Sequence, residues 1–302
     1  MPGSTRASGS ADGDLAAFAP RRLFARRAAR HRGLIAGATV FGLIVLAAIF
    51  APLLTPQDPY VQNLTLRLKP PAWSAGSLPG HLLGTDHLGR DYLARLLHGA
   101  RISLMIGLTA ASIGAVIGTT LGIVAGYFGG RVDQVVSYLL TCQLALPTLL
   151  LAMALVFLIG PSVPIVIAVI GLLHWSKFLV VARAATMQLR DLDFVRAARA
   201  FGSSRTQILV HEILPNLRNQ VIVIFTLEVG IAIVAEASLS FLGVGVPSPT
   251  PSWGLMIAEG RNYMMLRPEV VLMPGIALFL LVVAINMMGD GLRDVTAPEA
   301  RG

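Results

Sequence analysis

Two carboxylates stand out in the second half of the chain. Glu228 and Glu236 lie in an apolar run over residues 219–239 that holds no other charge. A charged side chain at the centre of a membrane helix costs about 2.5–3.5 kcal/mol on insertion scales. Glu228 is therefore expected to face a partner helix or a polar pathway, or to be protonated. Together with Asn286 in the last apolar run, both glutamates are candidates for lining a translocation pathway. His174, Trp175 and Lys177 fall toward the inner half of another apolar run. An interfacial or bundle-facing role is expected for them, with a proton-relay histidine as the alternative. His81, Asp86, His87 and Asp91 are metal-ligand types, but no pair has a strong ligand spacing. Helix capping and headgroup contact are expected there, and no metal. The single Cys142 sits in an apolar run and is expected to pack.

Other chemistry is missing. The sequence has no phosphate-binding loop, no Gly-x-Ser-x-Gly, no His-Glu-x-x-His and no paired cysteines. The expectation is a chain that is not an enzyme and carries no cofactor of its own.

The elements that hold these residues follow from composition. The chain has 302 residues, 55% hydrophobic and 13% charged, with a net charge of +8. Soluble domains carry about 25% charged residues. Polar faces are absent for twenty residues at a time, which marks an all-α polytopic membrane protein. Residues 1–32 form a basic tail expected to be disordered, and residues 33–54 a first membrane helix, longer than a secretory leader needs. Residues 55–101 read as an outer loop ending in an amphipathic, interfacial helix from Arg90. The core, residues 102–289, holds five further spans: 102–126, 135–160 with a kink at Pro147, 163–182, 219–239 and 269–288. Residues 290–302 are a tail. In the first of these spans Gly114, Gly118, Gly122 and Gly126 recur every fourth residue, a spacing that lets another helix approach closely. The segment from 255 to 266 reads as a short re-entrant or interfacial helix. Six spans place both ends on one side. The proposed inner segments hold 16 Lys/Arg and the outer ones seven, which supports both ends in the cytoplasm.

Between the fourth and fifth spans lies DFVRAARAFGSSRTQILVHEILPN, residues 193–216. It reads as two short helices around a glycine. Asp193 is placed to cap the first, and Gly202 to end it. Ser204 and Gln207 have capping-box spacing for the second, and Pro215 is expected to stop it. Phe194, Ala197, Ala198 and Phe201 share one face. The pair resembles a DNA-binding helix-turn-helix, but its place between two membrane spans speaks against nucleic acid.

The hairpin residues Ala197, Ala198, Gly202, Leu214 and Pro215 match the coupling motif of bacterial ABC importer permeases. Arg196 stands where that family has Glu, and Glu212 where it has Ile. LLGTDHLGRDYLARLLHGARISL, EASLSFLGVGVPSPTPSWG and NMMGDGLRD resemble the dipeptide/oligopeptide/nickel permeases, in particular their C-type subunit, over residues 33–295. The resemblance implies a permease subunit of an ATP-driven, binding-protein-dependent importer in the plasma membrane of a bacterium. Its implied partners are a B-type permease, two ATPase subunits that hold ATP and Mg, and an extracytoplasmic solute-binding protein. Di- and oligopeptides are the expected cargo, with nickel, glutathione or another small solute as alternatives. A proton-coupled secondary transporter is a further alternative. The hairpin would dock on an ATPase through Phe194, Arg196, Ala197, Ala198, Arg199, Phe201, Gly202, Arg205, Leu214 and Pro215.

Overall fold

The computed structural model describes residues 28–296, and its regular elements are helices. Among these residues the only extended pairing is one bridge between Thr85 and Asp91. Most of the basic tail expected over 1–32 lies outside the described residues, as does the chain beyond 296. Five helices are long and apolar enough to cross a membrane, or six if one bent pair counts as a single span.

Helix α1 (Arg32–Ile49) opens on a His31 cap, whose Nδ1 accepts from the Leu34 amide at 3.0 Å. His31 Nε2 also lies 3.2 Å from Asp294 Oδ2, which ties both ends of the chain together. Helix α2 (Tyr92–Phe128) is continuous over 37 residues. At 1.5 Å per residue it is about 55 Å long, well beyond a hydrocarbon layer of about 30 Å. The separate interfacial helix expected from Arg90 does not exist, because residues 92–101 are the first turns of α2. The Asp91 carboxylate caps it by accepting from the Ala94 amide at 2.7 Å. The leucine–arginine alternation that suggested a membrane surface instead buries Arg90 and Arg95, the latter 1% exposed.

Helices α3 (Gly130–Leu144) and α4 (Thr148–Ile159) meet at 84°, so the kink expected at Pro147 is a full break. Proline has no amide hydrogen and disfavours helix in the residue before it; here it caps α4. Cys142 lies exposed on α3 and does not pack in the core. Helices α5 (Val163–Leu173) and α6 (Ser176–Leu189) form one run, interrupted at His174 and Trp175 and longer than the expected 163–182.

Next come α7 (Asp193–Ala200), α8 (Arg205–Gln207), a π-helical turn (Ile208–Ile213) and α9 (Leu214–Phe241). Pro215 does not stop the chain there. The π turn just before it widens the helix, so the proline ring avoids the carbonyl it would strike in an α-helix. Asn216 Nδ2 then donates to the Glu212 carbonyl at 2.6 Å. The run from Arg205 to Phe241 is one long helix as a result. Helix α10 (Trp253–Gly260) is short, and α11 (Glu269–Thr296) runs through Pro274 and through the residues expected to begin a tail.

Helix α2 is the axis of the bundle, with α1, α5, α6, α9 and α10 against it. Its closest partner is α6. A Cβ on Gly118 would stand 2.1 Å from the Trp175 carbonyl. One on Gly122 would stand 2.7 Å from the Leu179 carbonyl, and one on Gly126 2.7 Å from that of Arg183. Gly114 meets His174 in the same way at 3.0 Å. From Gly118 onward both helices advance four residues per contact, so the two backbones run alongside at close approach.

Candidate functional site

Three polar assemblies interrupt this apolar bundle. The first is a charge cluster at the N-terminal end of α2. Arg90 Nη2 and Arg95 Nη2 both donate to Glu259 Oε2, at 2.9 and 3.1 Å. Arg90 Nε donates to Asp86 Oδ2 at 2.5 Å, and Arg95 Nε lies 3.3 Å from the same oxygen. Arg95 Nη1 also reaches the Pro249 carbonyl at 3.2 Å. The cluster joins the loop before α2, the loop after α9 and α10. Asp86, His87 and Glu259 place ligand atoms within 4.8 Å of one another, but both carboxylates already face guanidiniums, which stand where a cation would. Burial holds His87 below the usual imidazole range, against the pull of Glu259 and Asp86. Its ring stacks on Tyr263. His81 pairs with Asp91 at 2.7 Å.

The second assembly is built on Glu236. Its Oε1 accepts from Ser240 Oγ at 2.7 Å and from Ser252 Oγ at 2.8 Å. Ser240 Oγ accepts from the Val246 amide, and Ser252 Oγ caps α10 through the Leu255 amide. Gly245 and Gly254 have no room for a Cβ, which would meet Ser240 and Ala237. Glu236 thus folds the outer loop back onto α9. It is fully buried and does not line the cleft that holds Glu228.

The third is a cleft of about 650 Å3 between α3, α6, α9 and α11. Its walls are mostly aliphatic, from Leu140, Leu144, Val180, Ile224 and Ile231 among others. Its polar groups are Ser176, Lys177, Glu228, Asn286 and Asp290. Lys177 Nζ lies 2.9 Å from Glu228 Oε1, and Glu228 is 1% exposed. The structure therefore brings Glu228 and Asn286 to one cavity and leaves Glu236 elsewhere. It also adds Lys177, which its sequence position had placed only as interfacial or bundle-facing.

The hairpin folds as a capped pair. Its first helix ends in a Schellman arrangement: Ser203 N donates to Ala198 O and Gly202 N to Arg199 O, with Gly202 at φ 82°. Ser204 and Gln207 form a reciprocal capping box. Asp193 is not the cap of α7; Leu192 holds that position, and Asp193 sits in the first turn, 3.8 Å from Arg196. Val195, Ile208, Ile213 and Leu217 bury the inner side, with Ala198 and Leu209 partly buried beside them. Phe194, Ala197 and Phe201 face out, and Phe201 is 90% exposed. Arg196, Leu214 and Pro215 are exposed as well. Ala198 belongs to the inner side, not to the shared outer face expected for it.

Arg199 and Arg205 turn toward the chain itself. Their guanidiniums stand 5.6 Å from the ring centres of Tyr127 and Phe128 at the end of α2. Arg190 Nη1 donates to the Gly126 carbonyl at 2.8 Å, and Arg183 pairs with Asp133 at the start of α3. Four arginines from the hairpin and its approach thus grip the turn between α2 and α3. Single-residue spacing gave no signal for this, since the two aromatics lie over 70 residues away.

Among the described residues, an apolar helical bundle carries a mostly aliphatic cleft and an exposed hairpin, the architecture of a polytopic helical membrane protein. Comparison with known proteins makes this specific. Residues 118–302 match the model of the binding-protein-dependent transport system inner membrane component. Residues 19–71 match the N-terminal TM domain of oligopeptide transport permease C. The di/tripeptide transport system permease protein of Pseudomonas aeruginosa is 40% identical over 97% of this chain and 96% of its own. The dipeptide transport system permease protein of Haemophilus influenzae is 37% identical over 90% of this chain and 92% of its own. The glutathione transport system permease protein of Pectobacterium atrosepticum is 36% identical over 95% and 94%. The fold is similar to a chain of the MetNI methionine ABC transporter, with a TM-score of 0.53 at 19% identity over 67% of this chain and 95% of that one. The chain belongs to the family of binding-protein-dependent transport system inner membrane components, and is a membrane permease.

Proposed function

We propose that the chain is one of two permease subunits of an ATP-driven importer of short peptides, in the plasma membrane of a bacterium. It crosses the membrane six times, with the bent α3–α4 pair as one span and both ends in the cytoplasm. A second, B-type permease completes the pathway, two ATPase subunits supply energy from ATP and Mg, and an extracytoplasmic binding protein delivers the cargo. The observation that carries this reading is the outer face of the hairpin. Phe194, Ala197 and Phe201 present an apolar patch on a short, well-capped helix whose opposite side is seated in the bundle. Such a face suits insertion into a groove on a partner. The arginine grip on the α2–α3 turn gives motion at that face a rigid route into α2. The cleft holding Glu228 and Asn286 is this subunit's part of the pathway, and peptides are the cargo in keeping with the named relatives.

Purification tests the reading. The tagged chain is expected to bring down two ATPase subunits and a second permease, and reconstituted uptake is expected to require ATP and the binding protein. Uptake by the chain alone on a pH gradient would establish a proton-coupled carrier instead.

A further inference from the structure

Among the described residues, the Lys177–Glu228 pair is the one ion pair that lines the cleft. It lies in an open cleft, unlike Asp86, Arg90, Arg95 and Glu259, which close on one another. Glu228 is buried and lines the cavity, and Lys177 leaves more than half of its side chain exposed to it. The cleft volume falls within the range of small-molecule sites, about 300–1,000 Å3. Its walls are aliphatic apart from a handful of polar groups.

That distribution has a chemical consequence. Peptides of different sequence share only three things: a backbone, an ammonium at one end and a carboxylate at the other. Apolar walls accept varied side chains without hydrogen-bond demands. A single adjacent positive and negative group can take the two ends. We infer that Lys177 and Glu228 form a recognition site for the termini of a short zwitterionic peptide. Lys177 receives the carboxylate and Glu228 the ammonium, and the two residues pair with each other when the cleft is empty. This exchange replaces one ion pair with two and leaves the buried Glu228 with a partner throughout, so entry does not meet the cost of an isolated charge. Asn286 and Asp290, on α11 across the same cleft, provide further polar contact for the backbone. The inference rests on the cleft's place in the pathway of a peptide importer.

The test uses the assembled membrane complex, nucleotide-free and without binding protein. Equilibrium binding of radiolabelled dialanine is compared with that of N-acetyl-dialanine and dialanine amide. Both blocked forms are expected to bind at least about tenfold more weakly. In Lys177→Met the amide and the free acid should bind alike, with the acetyl group still discriminated against. In Glu228→Gln the pattern should reverse. Lys177 is exposed, so its replacement is compatible with folding even where that of Glu228 is not. Equal binding of blocked and free peptide overturns the inference, as does unchanged discrimination in Lys177→Met, or no saturable binding at millimolar peptide. ATP-driven uptake of dialanine by the wild-type importer, measured in parallel, separates the two failures. Uptake without terminal discrimination removes only this inference; a complex without ATPase subunits removes the functional reading beneath it.

Discussion

Glu259 holds the counter-charge of two buried arginines at once. Neutralising it leaves Arg90 and Arg95, both fully buried, with Asp86 as their one remaining counter-charge. Glu259→Gln is expected to cost about 3 kcal/mol or more, read as a lowered unfolding midpoint of the purified complex. Arg267→Gln, which removes a partly exposed pair with Glu269, should cost under about 1 kcal/mol; equal effects would contradict the assignment of the cluster as a buried tether. Arg196 poses the opposite case. It is exposed, and its contact with Asp193 is long. Arg196→Glu places an acid near the start of α7, where the helix dipole favours it. Binding-protein-stimulated ATP hydrolysis should be retained or raised, and a loss would count against the docking role. The sequence reveals that both residues are charged, but not which one is buried. Arg95 and Arg196 both sit among alanines and leucines at helical spacing, and only the Glu259 carboxylate, brought from 164 residues away, marks the first as internal.

Among the elements, α2 shows how much a spacing alone can state. Glycine at every fourth position predicts a close helix neighbour, and α6 is that neighbour. Gly118→Ala drives a methyl group against the Trp175 carbonyl, so α2 and α6 must part. A cost of about 1–3 kcal/mol is expected from such overpacking, seen as a reduced yield of folded complex. Gly42→Ala on α1, where nothing lies within 4 Å, should be silent. If both behave alike, the glycine stripe is not a packing seam. Element ends were less legible. Pro147 breaks a span by 84° while Pro274 and Pro215 leave theirs continuous. The ring is the same in each case; the difference lies in whether neighbouring turns can widen and find other donors, as the π turn and Asn216 do before and after Pro215.

At the scale of the molecule, the hairpin joins an exposed apolar face to the α2–α3 turn through Arg199 and Arg205. Its first helix ends only because Gly202 reaches φ 82°. Proline is fixed near −65°, so Gly202→Pro must redirect the lever while leaving the spans untouched. Membrane insertion is expected to be normal and uptake lost, measured by fractionation and transport assay; normal uptake would sink the lever model. The chain's own pattern determined the helical membrane class, the glycine seam, and the hairpin with its Gly202 turn and Ser204–Gln207 capping box, because these depend on apolar run length, four-residue periodicity and local hydrogen bonds. Tertiary structure alone decided that Glu228 meets Lys177 in a cleft, that Glu236 is walled in by Ser240 and Ser252, and that Arg95 is core. Each of these depends on which distant group arrives to compensate a charge, and a charge in an apolar stretch has the same local sequence whether its partner is water, a ligand or another helix.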